Sequence, residues 1–444
     1  MIAFAISASA SGSGKTTITM GLIATLRRRG LTVQPFKTGP DYIDSAYHSK
    51  LAERPCINLD IWMTSKEFVK DTFARHTKDA DVAIIEGVMG LFDGAADGTG
   101  STASICKLLD VPVLHVIDSG KAAQSCGAIL YGLENFDPEI KSTGAIFNKI
   151  CGPSHWNSVT DSVAKRCISP VLGYLPKNAD LALPERQLGL LSAHEHGLPE
   201  NYIDLLVTTI EEHIDIHALL TQEIDSTSTK YGGASSTSTK DAVSDSTPTS
   251  ARTAKPVRLG IAKDEAFCFY YEDNLDLIEQ VGIELVTFSP INDSELPPDL
   301  DGLYFGGGFP EEFSSRLSDN TSMIESVKKF KGKILAECGG LIYLINHLNL
   351  IDGQIEMTGK LQACGYRIVT FNRDTILGPA GTQLKGHEFH WSKWITKPAT
   401  GFGALQTDEH VWGYSNDQIL ASYFHIHFGS NPEALQIFKE ELTT

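Results

Sequence analysis

The stretch Ser9-Ala-Ser-Gly-Ser-Gly-Lys-Thr16 lies between an apolar strand, Ile2–Ile6, and a helix with apolar spacing through Met20, Ile23 and Leu26, ending at Gly30. A phosphate needs several converging backbone N–H donors, which only a loop of small residues supplies. It also needs the positive end of a helix, a cation for the outer oxygens and a hydroxyl for Mg2+. Gly12, Ser13 and Gly14 give the small-residue loop, Lys15 the cation and Thr16 the hydroxyl. Ser9 stands where the usual pattern has its first glycine. A glycine-rich turn with an incidental lysine is the alternative, and the strand–loop–helix setting counts against it.

Two further strand ends strengthen a nucleotide reading. Val82-Ala-Ile-Ile-Glu86 is an apolar strand closing on an acid, and Phe36-Lys37-Thr-Gly-Pro-Asp41-Tyr42 places a lysine and an acid just past another strand. Ligands collect at the carboxyl ends of parallel strands. Thr16, Asp41 and Glu86 are therefore the predicted metal residues, with Mg2+ as the ion. Each acid alone reads as a solvated loop residue; two at strand ends beside a phosphate loop favour metal.

Strands expected at Thr32–Phe36, Val82–Ile85, Val111–Ile117 and Gly144–Phe147 alternate with helices, the signature of a parallel sheet covered on both faces. From Asp225 to Ala254 the chain is rich in Ser and Thr and almost devoid of large apolar residues, so it reads as a flexible linker. A second series then begins: Val257–Ile261, Glu284–Phe288, Gly302–Tyr304, Lys333–Ala336 and Ile419–Phe424, with helices Asn274–Val281 and Met323–Phe330. The expected organisation is an α/β nucleotide domain over 1–222, a linker over 223–256 and a second α/β domain over 257–444.

In the second series, Lys333-Ile-Leu-Ala-Glu-Cys338-Gly-Gly-Leu-Ile-Tyr is a strand, a cysteine, two glycines and a helical run. A sharp strand-to-helix turn exposes a thiol, and the helix N-terminus favours its anion. A nucleophilic cysteine needs a base, and Ala421-Ser-Tyr-Phe-His425-Ile-His427 offers two histidines. Backbone N–H groups of Gly306-Gly307-Gly308 are candidates for an oxyanion hole. A buried structural thiol is the commoner fate of a free cysteine. The other seven cysteines are given that reading; the Gly-Gly turn sets Cys338 apart.

These strings together resemble the cobyrinic acid a,c-diamide synthases. The resemblance is carried by Phe36-Lys-Thr-Gly-Pro-Asp-Tyr-Ile-Asp44, Glu86-Gly-Val-Met-Gly-Leu-Phe-Asp-Gly94, Asp264-Glu-Ala-Phe-Cys-Phe-Tyr-Tyr271, Gly306-Gly-Gly-Phe-Pro-Glu311, Gly386-His-Glu-Phe-His-Trp-Ser392 and Ser422-Tyr-Phe-His-Ile-His-Phe428. It covers the chain except the linker. It implies a P-loop NTPase-type parallel-sheet domain of dethiobiotin-synthetase type, then a class I glutamine amidotransferase-like (flavodoxin-like) α/β domain.

In such enzymes ATP phosphorylates a substrate carboxylate, and ammonia released from glutamine displaces the phosphate. Carried over by motif, Cys338 is the nucleophile and His425 its base. Gly12, Ser13, Gly14, Lys15, Thr16, Thr17 and Asn148 bind ATP, and Gly307 and Gly308 form the oxyanion hole. Lys37, Tyr42, Asp44, Asp93, His387 and Glu388 are the substrate candidates. Triad relatives place a glutamate two residues after the histidine. This chain has His427 there, so a Cys–His dyad is expected. Gln187 and Ser45 depart from the family's usual His and Pro. His387 and His390, three apart on a strand, should point to opposite faces, against metal binding.

The net charge of −18, from 37 Lys plus Arg against 55 Asp plus Glu, argues against nucleic acid. No signal peptide is expected, no apolar run approaches about 18 residues, and the scattered cysteines suit a reducing compartment. A soluble cytoplasmic enzyme acting on cobyrinate, L-glutamine and ATP, away from membranes, is the expectation, and a homodimer is one assembly it allows. Hydrogenobyrinate and nickel-sirohydrochlorin are the alternative substrates. A P-loop ATPase switch with a degenerate amidotransferase fold, or a plain glutaminase, are readings from other classes.

Overall fold

Seven strands of the N-terminal half carry apolar residues on both faces, and this dictates a sheet with helices on either side. In the computed structural model they run β1 (Ile2–Ala8), β2 (Val33–Thr38), β3 (Ile57–Leu59), β4 (Val82–Glu86), β5 (Val113–Asp118), β6 (Ser142–Ile150) and β7 (Val171–Pro176). All are parallel, in the order β3-β2-β4-β1-β5-β6-β7. Ala5, Ile85, Ile117 and Phe147 enter the core on one face, while Phe4, Ile6, Ile84, Val116 and Ile146 enter the other. That alternation is the period of two along each strand. Helix α1 (Lys15–Arg28) leaves β1 through the glycine loop, and α2 (Ile43–Ala52) follows β2. The structure describes residues 1–95, 97–182, 198–221, 256–408 and 410–444, with short strand backbone at 185–186 and 189–190. All but the last residue of the expected 223–256 linker lies outside the described residues, as does Gln187.

The C-terminal half holds a ten-stranded sheet. Ile283–Phe288, Val257–Ala262, Gly302–Phe305, Lys333–Glu337 and Ile419–Ser422 form its parallel part, as expected from the sequence. Beyond Ile419–Ser422 the sheet continues antiparallel through Val411–Ser415, Phe402–Gln406, Ala363–Phe371, Gln383–His390 and His425–Ile426. Most of this extension was not expected. Its longest strand, Ala363–Phe371, is half-exposed and polar along much of its length, so it lacks a buried strand's apolar run.

The halves meet through side chains around the carboxyl ends of both sheets. Trp62 stacks on Tyr366 with ring centroids 4.6 Å apart, and Tyr366 Oη donates to Asp60 at 2.6 Å. Lys385 Nζ donates to the Trp62 carbonyl at 3.2 Å. This contact brings the glycine loop and Cys338 to one cavity. No helix among the described residues is long and apolar enough to cross a membrane.

Candidate active site

The turn from β1 into α1 uses two left-handed glycines, Gly12 at φ 76° and Gly14 at φ 94°. At Gly14 there is a second constraint: a Cβ would lie 1.9 Å from Asn148 Nδ2. That amide donates to the Ser13 carbonyl at 2.9 Å, so Asn148 braces the loop. Ser13 is buried, its hydroxyl donating to the Ala10 carbonyl, and its side chain supports the loop rather than lining the cavity. Gly12, Gly14, Lys15, Thr16, Thr17 and Asn148 all line it. Lys15 Nζ folds back on the Met89 carbonyl at 2.6 Å and the Ala10 carbonyl at 3.2 Å. Burial and then the nearby Lys37 ammonium lower its pKa.

Beside the loop lies a buried cluster of carboxylates. Glu86, ending β4, accepts from Thr16 Oγ1 at 2.8 Å and Lys37 Nζ at 2.9 Å through Oε1, and from His48 Nε2 at 2.5 Å through Oε2. Asp44 Oδ2 accepts from Lys37 at 2.6 Å and lies 3.2 Å from Thr16 Oγ1. Burial alone would raise the Glu86 carboxyl, but Lys37 and His48 outweigh it and hold it well below the usual range. Asp44 goes the other way: burial, then Asp41, push it up to about 7 despite Lys37. Lys37 cannot neutralise Asp41, Asp44 and Glu86 at once.

That surplus of hard, negative oxygen beside a phosphate loop fits a divalent cation. Thr16, Asp44 and Glu86 would hold it. Asp41 was the expected second acid, but its Oδ1 accepts the N–H groups of Ile43 and Asp44, each at 3.0 Å, at the start of α2. Asp44 takes the place nearest Thr16 instead of the substrate role expected for it. Among the described residues no three His, Cys, Asp or Glu side chains form a metal cage. His48 escaped the sequence reading. Its signal was its place four residues after Asp44, on the same face of α2.

On the other side of the cavity, Cys338 sits between the strand Lys333–Glu337 and the helix Gly339–Asn346. Its backbone has a positive φ, 47° with ψ −99°, a strained conformation for a non-glycine residue and one that a sharp strand-to-helix turn imposes. Gly307 lies under His425: a Cβ there would come within 2.4 Å of His425 Cε1. The N–H groups of the glycine run are not equivalent. Gly306 donates to the Tyr270 hydroxyl at 2.8 Å and Gly307 to the Phe269 carbonyl at 3.3 Å. Gly307 is thereby corrected from oxyanion donor to the seat of His425. Gly308 N–H makes no hydrogen bond among the described residues, and a Cβ on Gly339 would lie 3.0 Å from Gly308 N. Gly339 opens its helix, so its N–H has no partner within that helix. The backbone N–H groups left free next to Cys338 are thus those of Gly308 and Gly339.

The expected dyad also needs correction. Glu337, immediately before the cysteine, places Oε2 3.7 Å from His425 Nδ1. Burial alone would lower the imidazole pKa, but Cys338 and Glu337 outweigh it and raise it to about 9. His427 turns to a separate pocket, its Nδ1 accepting from Gly429 N–H at 3.1 Å and its Nε2 3.9 Å from Asp273. Burial pushes its pKa down to about 3.

The substrate candidates divide. Tyr42 and His387 line the cavity, and His387 stacks on His425 with centroids 4.7 Å apart. His387 Nδ1 is 2.6 Å from the Tyr271 hydroxyl. Lys37 also lines the cavity, held among carboxylates. Asp93 is exposed outside the cavity, accepting from Gly90 N–H at 2.9 Å. Glu388, next to His387 on a strand, points away to Arg367 at 3.2 Å. His390 also lines the cavity, stacked on Tyr423, because the strand ends there and the strict alternation lapses.

The cavity, of about 780 Å³, is lined by Lys15, Thr16 and Glu86 from one half and Cys338, His387 and His425 from the other. Residues 4–190 match the model of the CobQ/CobB/MinD/ParA nucleotide binding domain, and residues 258–433 that of the CobB/CobQ-like glutamine amidotransferase domain. Cobyrinate a,c-diamide synthase of Syntrophotalea carbinolica is 40% identical, covering 98% of this chain and 97% of its own. That of Dehalococcoides mccartyi is 41% identical over 96% and 95%. The chain belongs to the cobyrinate a,c-diamide synthase family. The Priestia megaterium member is 37% identical over 98% of this chain and 96% of its own. The two matched domains make this chain a glutamine-dependent amidating ligase with a nucleotide-binding half.

Proposed function

We propose that the protein converts the a and c acetate carboxylates of cobyrinate into amides, using ATP and glutamine. The observation that carries this reading is the single cavity onto which both the glycine loop and Cys338 open. The Gly12–Thr16 loop holds the triphosphate, and Lys15 swings from the Met89 carbonyl to the transferring phosphoryl group. Mg2+, held by Thr16, Asp44 and Glu86, would neutralise charge on the phosphate oxygens. A substrate carboxylate oxygen attacks the γ-phosphorus, giving an acyl phosphate and ADP.

In the other half, the Cys338 thiolate attacks the glutamine side-chain carbonyl, and the N–H groups of Gly308 and Gly339 receive the oxyanion. The His425 imidazolium gives its proton to the departing ammonia, and water then releases glutamate from the thioester. Ammonia reaches the acyl phosphate through the shared cavity and displaces phosphate. The cycle runs twice. All eight cysteines are free thiols, which supports a reducing cytoplasmic setting; sedimentation would decide between monomer and homodimer.

Cys338→Ser tests the reading. It should lose glutamine-dependent synthesis and keep synthesis from an ammonium salt near pH 8, with amides counted by mass spectrometry. Wild-type synthesis from glutamine would remove Cys338 from the mechanism. Inactivity with both nitrogen sources, in a folded variant that binds ATP, would overturn the division between the two centres.

A further inference from the structure

His425 Nδ1 is buried and without a hydrogen-bond partner among the described residues. The carboxylate that faces it is that of Glu337, Oε2 3.7 Å away. This carboxylate is held from its other oxygen, for Oε1 accepts the Ile426 N–H at 3.0 Å. Ile426 is the residue after His425, so one buried carboxylate grips the backbone of the base and faces its ring. Glu337 ends the strand and Cys338 begins the turn, so adjacent residues bring a carboxylate and a thiol to the same imidazole. At 3.7 Å the contact is electrostatic; in enzymes without bound substrate such distances commonly tighten on binding.

We propose that Glu337 is the positioning residue of the glutamine-hydrolysing centre: its carboxylate selects the Nδ1–H form of His425 and holds the imidazolium opposite the Cys338 thiolate. Nε2 is then the atom that takes the thiol proton and later gives it to ammonia, while the Glu337 carboxylate faces Nδ1. The triad acid is thereby supplied from beside the nucleophile, and the position two residues after the histidine is free to be His427. The inference rests on the glutaminase role proposed for Cys338 and His425.

Glu337→Gln separates this role from a structural one, because the amide oxygen can still accept the Ile426 N–H while the charge is gone. Three quantities are measured on the full-length protein: glutamine hydrolysis, synthesis from ammonium salt, and alkylation of Cys338 by iodoacetamide at pH 7, followed on its peptide by mass spectrometry. Hydrolysis should fall tenfold or more, within the roughly 10²–10⁴ that acid–base catalysis contributes. Alkylation should slow, because less of the thiol is ionised, and synthesis from ammonia should stay at the wild-type rate. Glu337→Asp, which keeps the charge but retracts it, should lie between the two in both hydrolysis and alkylation. If Glu337→Gln does not fold, the aspartate variant decides: wild-type hydrolysis and alkylation there overturn the proposal. Wild-type values in a folded Glu337→Gln overturn it too, provided Cys338→Ser is inactive with glutamine. If Cys338→Ser itself hydrolyses glutamine normally, the assignment of the centre fails first.

Discussion

Tyr42 of the N-terminal half stacks face to face on Phe269 of the C-terminal half, with ring centroids 5.1 Å apart and planes 9° from parallel. The same ring lies 5.4 Å from that of His425 and 4.8 Å from that of Tyr271. Asp41 precedes it and Asp44 follows two residues later, so one aromatic side chain bridges the carboxylate cluster and the ring of His425. Tyr42→Ala should open the space between them to water and loosen the seat of His425. The ratio of glutamate released to amide formed should rise by about threefold or more, as excluded water gains access to ammonia and acyl phosphate. Tyr42→Phe, which keeps the stack, should leave that ratio near wild type. Glutamate and amide counted in one reaction mixture check this; an unchanged ratio in Tyr42→Ala would mean the ring only fills space.

Lys37 is the cation around which Asp41, Asp44 and Glu86 gather. Replacing it with methionine keeps the apolar stem and leaves three carboxylates facing one another. Removing one partner of a buried pair costs about 3–5 kcal/mol, so Lys37→Met should melt well below wild type in EDTA. Excess Mg2+ should recover more of the melting temperature in the variant than it adds to wild type, because the ion replaces a missing charge. Equal Mg2+ effects on both proteins would place the metal elsewhere.

Asp273 is buried with neither carboxylate oxygen hydrogen-bonded among the described residues. Burial, then Asp276, raises its pKa well above the ordinary value. In the unfolded chain the group ionises near its ordinary value, whereas in the folded protein it holds its proton to higher pH. The unfolded state therefore binds fewer protons above about pH 4, and stability falls as pH rises from there. Asp273→Asn removes this loss. Its melting temperature should exceed wild type at pH 8 and approach it at pH 5. A difference that does not change with pH would show that Asp273 is ionised in the folded protein.

The parts of this site legible in the sequence were those whose chemistry is local. A strand, two glycines, a lysine and a threonine in one run announce the phosphate loop. Cys338 between a strand and Gly-Gly announces the elbow. Long-range geometry was not legible. Glu337 lies beside Cys338 in sequence, yet its relation to His425 depends on the Ile426 N–H arriving from a strand 89 residues later. Gly307 and Gly308 look alike in sequence, and only the Phe269 carbonyl, from another loop, occupies one N–H and not the other. Asp44, not Asp41, faces Thr16 for a similar reason: Asp41 is drawn to the start of α2, which leaves Asp44 beside the hydroxyl. The antiparallel extension was hidden because half-exposed strands lack the apolar run that marks a buried one.

Lys15→Ala should give the mirror image of Cys338→Ser. Lys15 Nζ now rests on two carbonyl oxygens, those of Met89 and Ala10. Its burial lowers its pKa, and losing a partly desolvated ammonium from such a place should not unfold the protein. In the proposed mechanism it supplies positive charge to the phosphoryl group in transfer, and no other lysine of the glycine loop can replace it. Lys37, the other buried ammonium beside that loop, is already held by Asp44 and Glu86. Amide formation should therefore fall by a factor on the order of 10³, comparable with the loss of one preorganised electrostatic contact or more. Ammonium salt should not rescue it, because the missing step is the acyl phosphate and not the ammonia. Glutamine hydrolysis should persist, since Cys338, His425 and the donors of Gly308 and Gly339 do not touch Lys15. Measuring ADP, glutamate and amide together separates the outcomes. Amide formation at the wild-type rate would remove Lys15 from phosphoryl transfer. Loss of glutamine hydrolysis along with synthesis, in a folded variant, would show that the cysteine centre is switched on only by a correctly bound nucleotide.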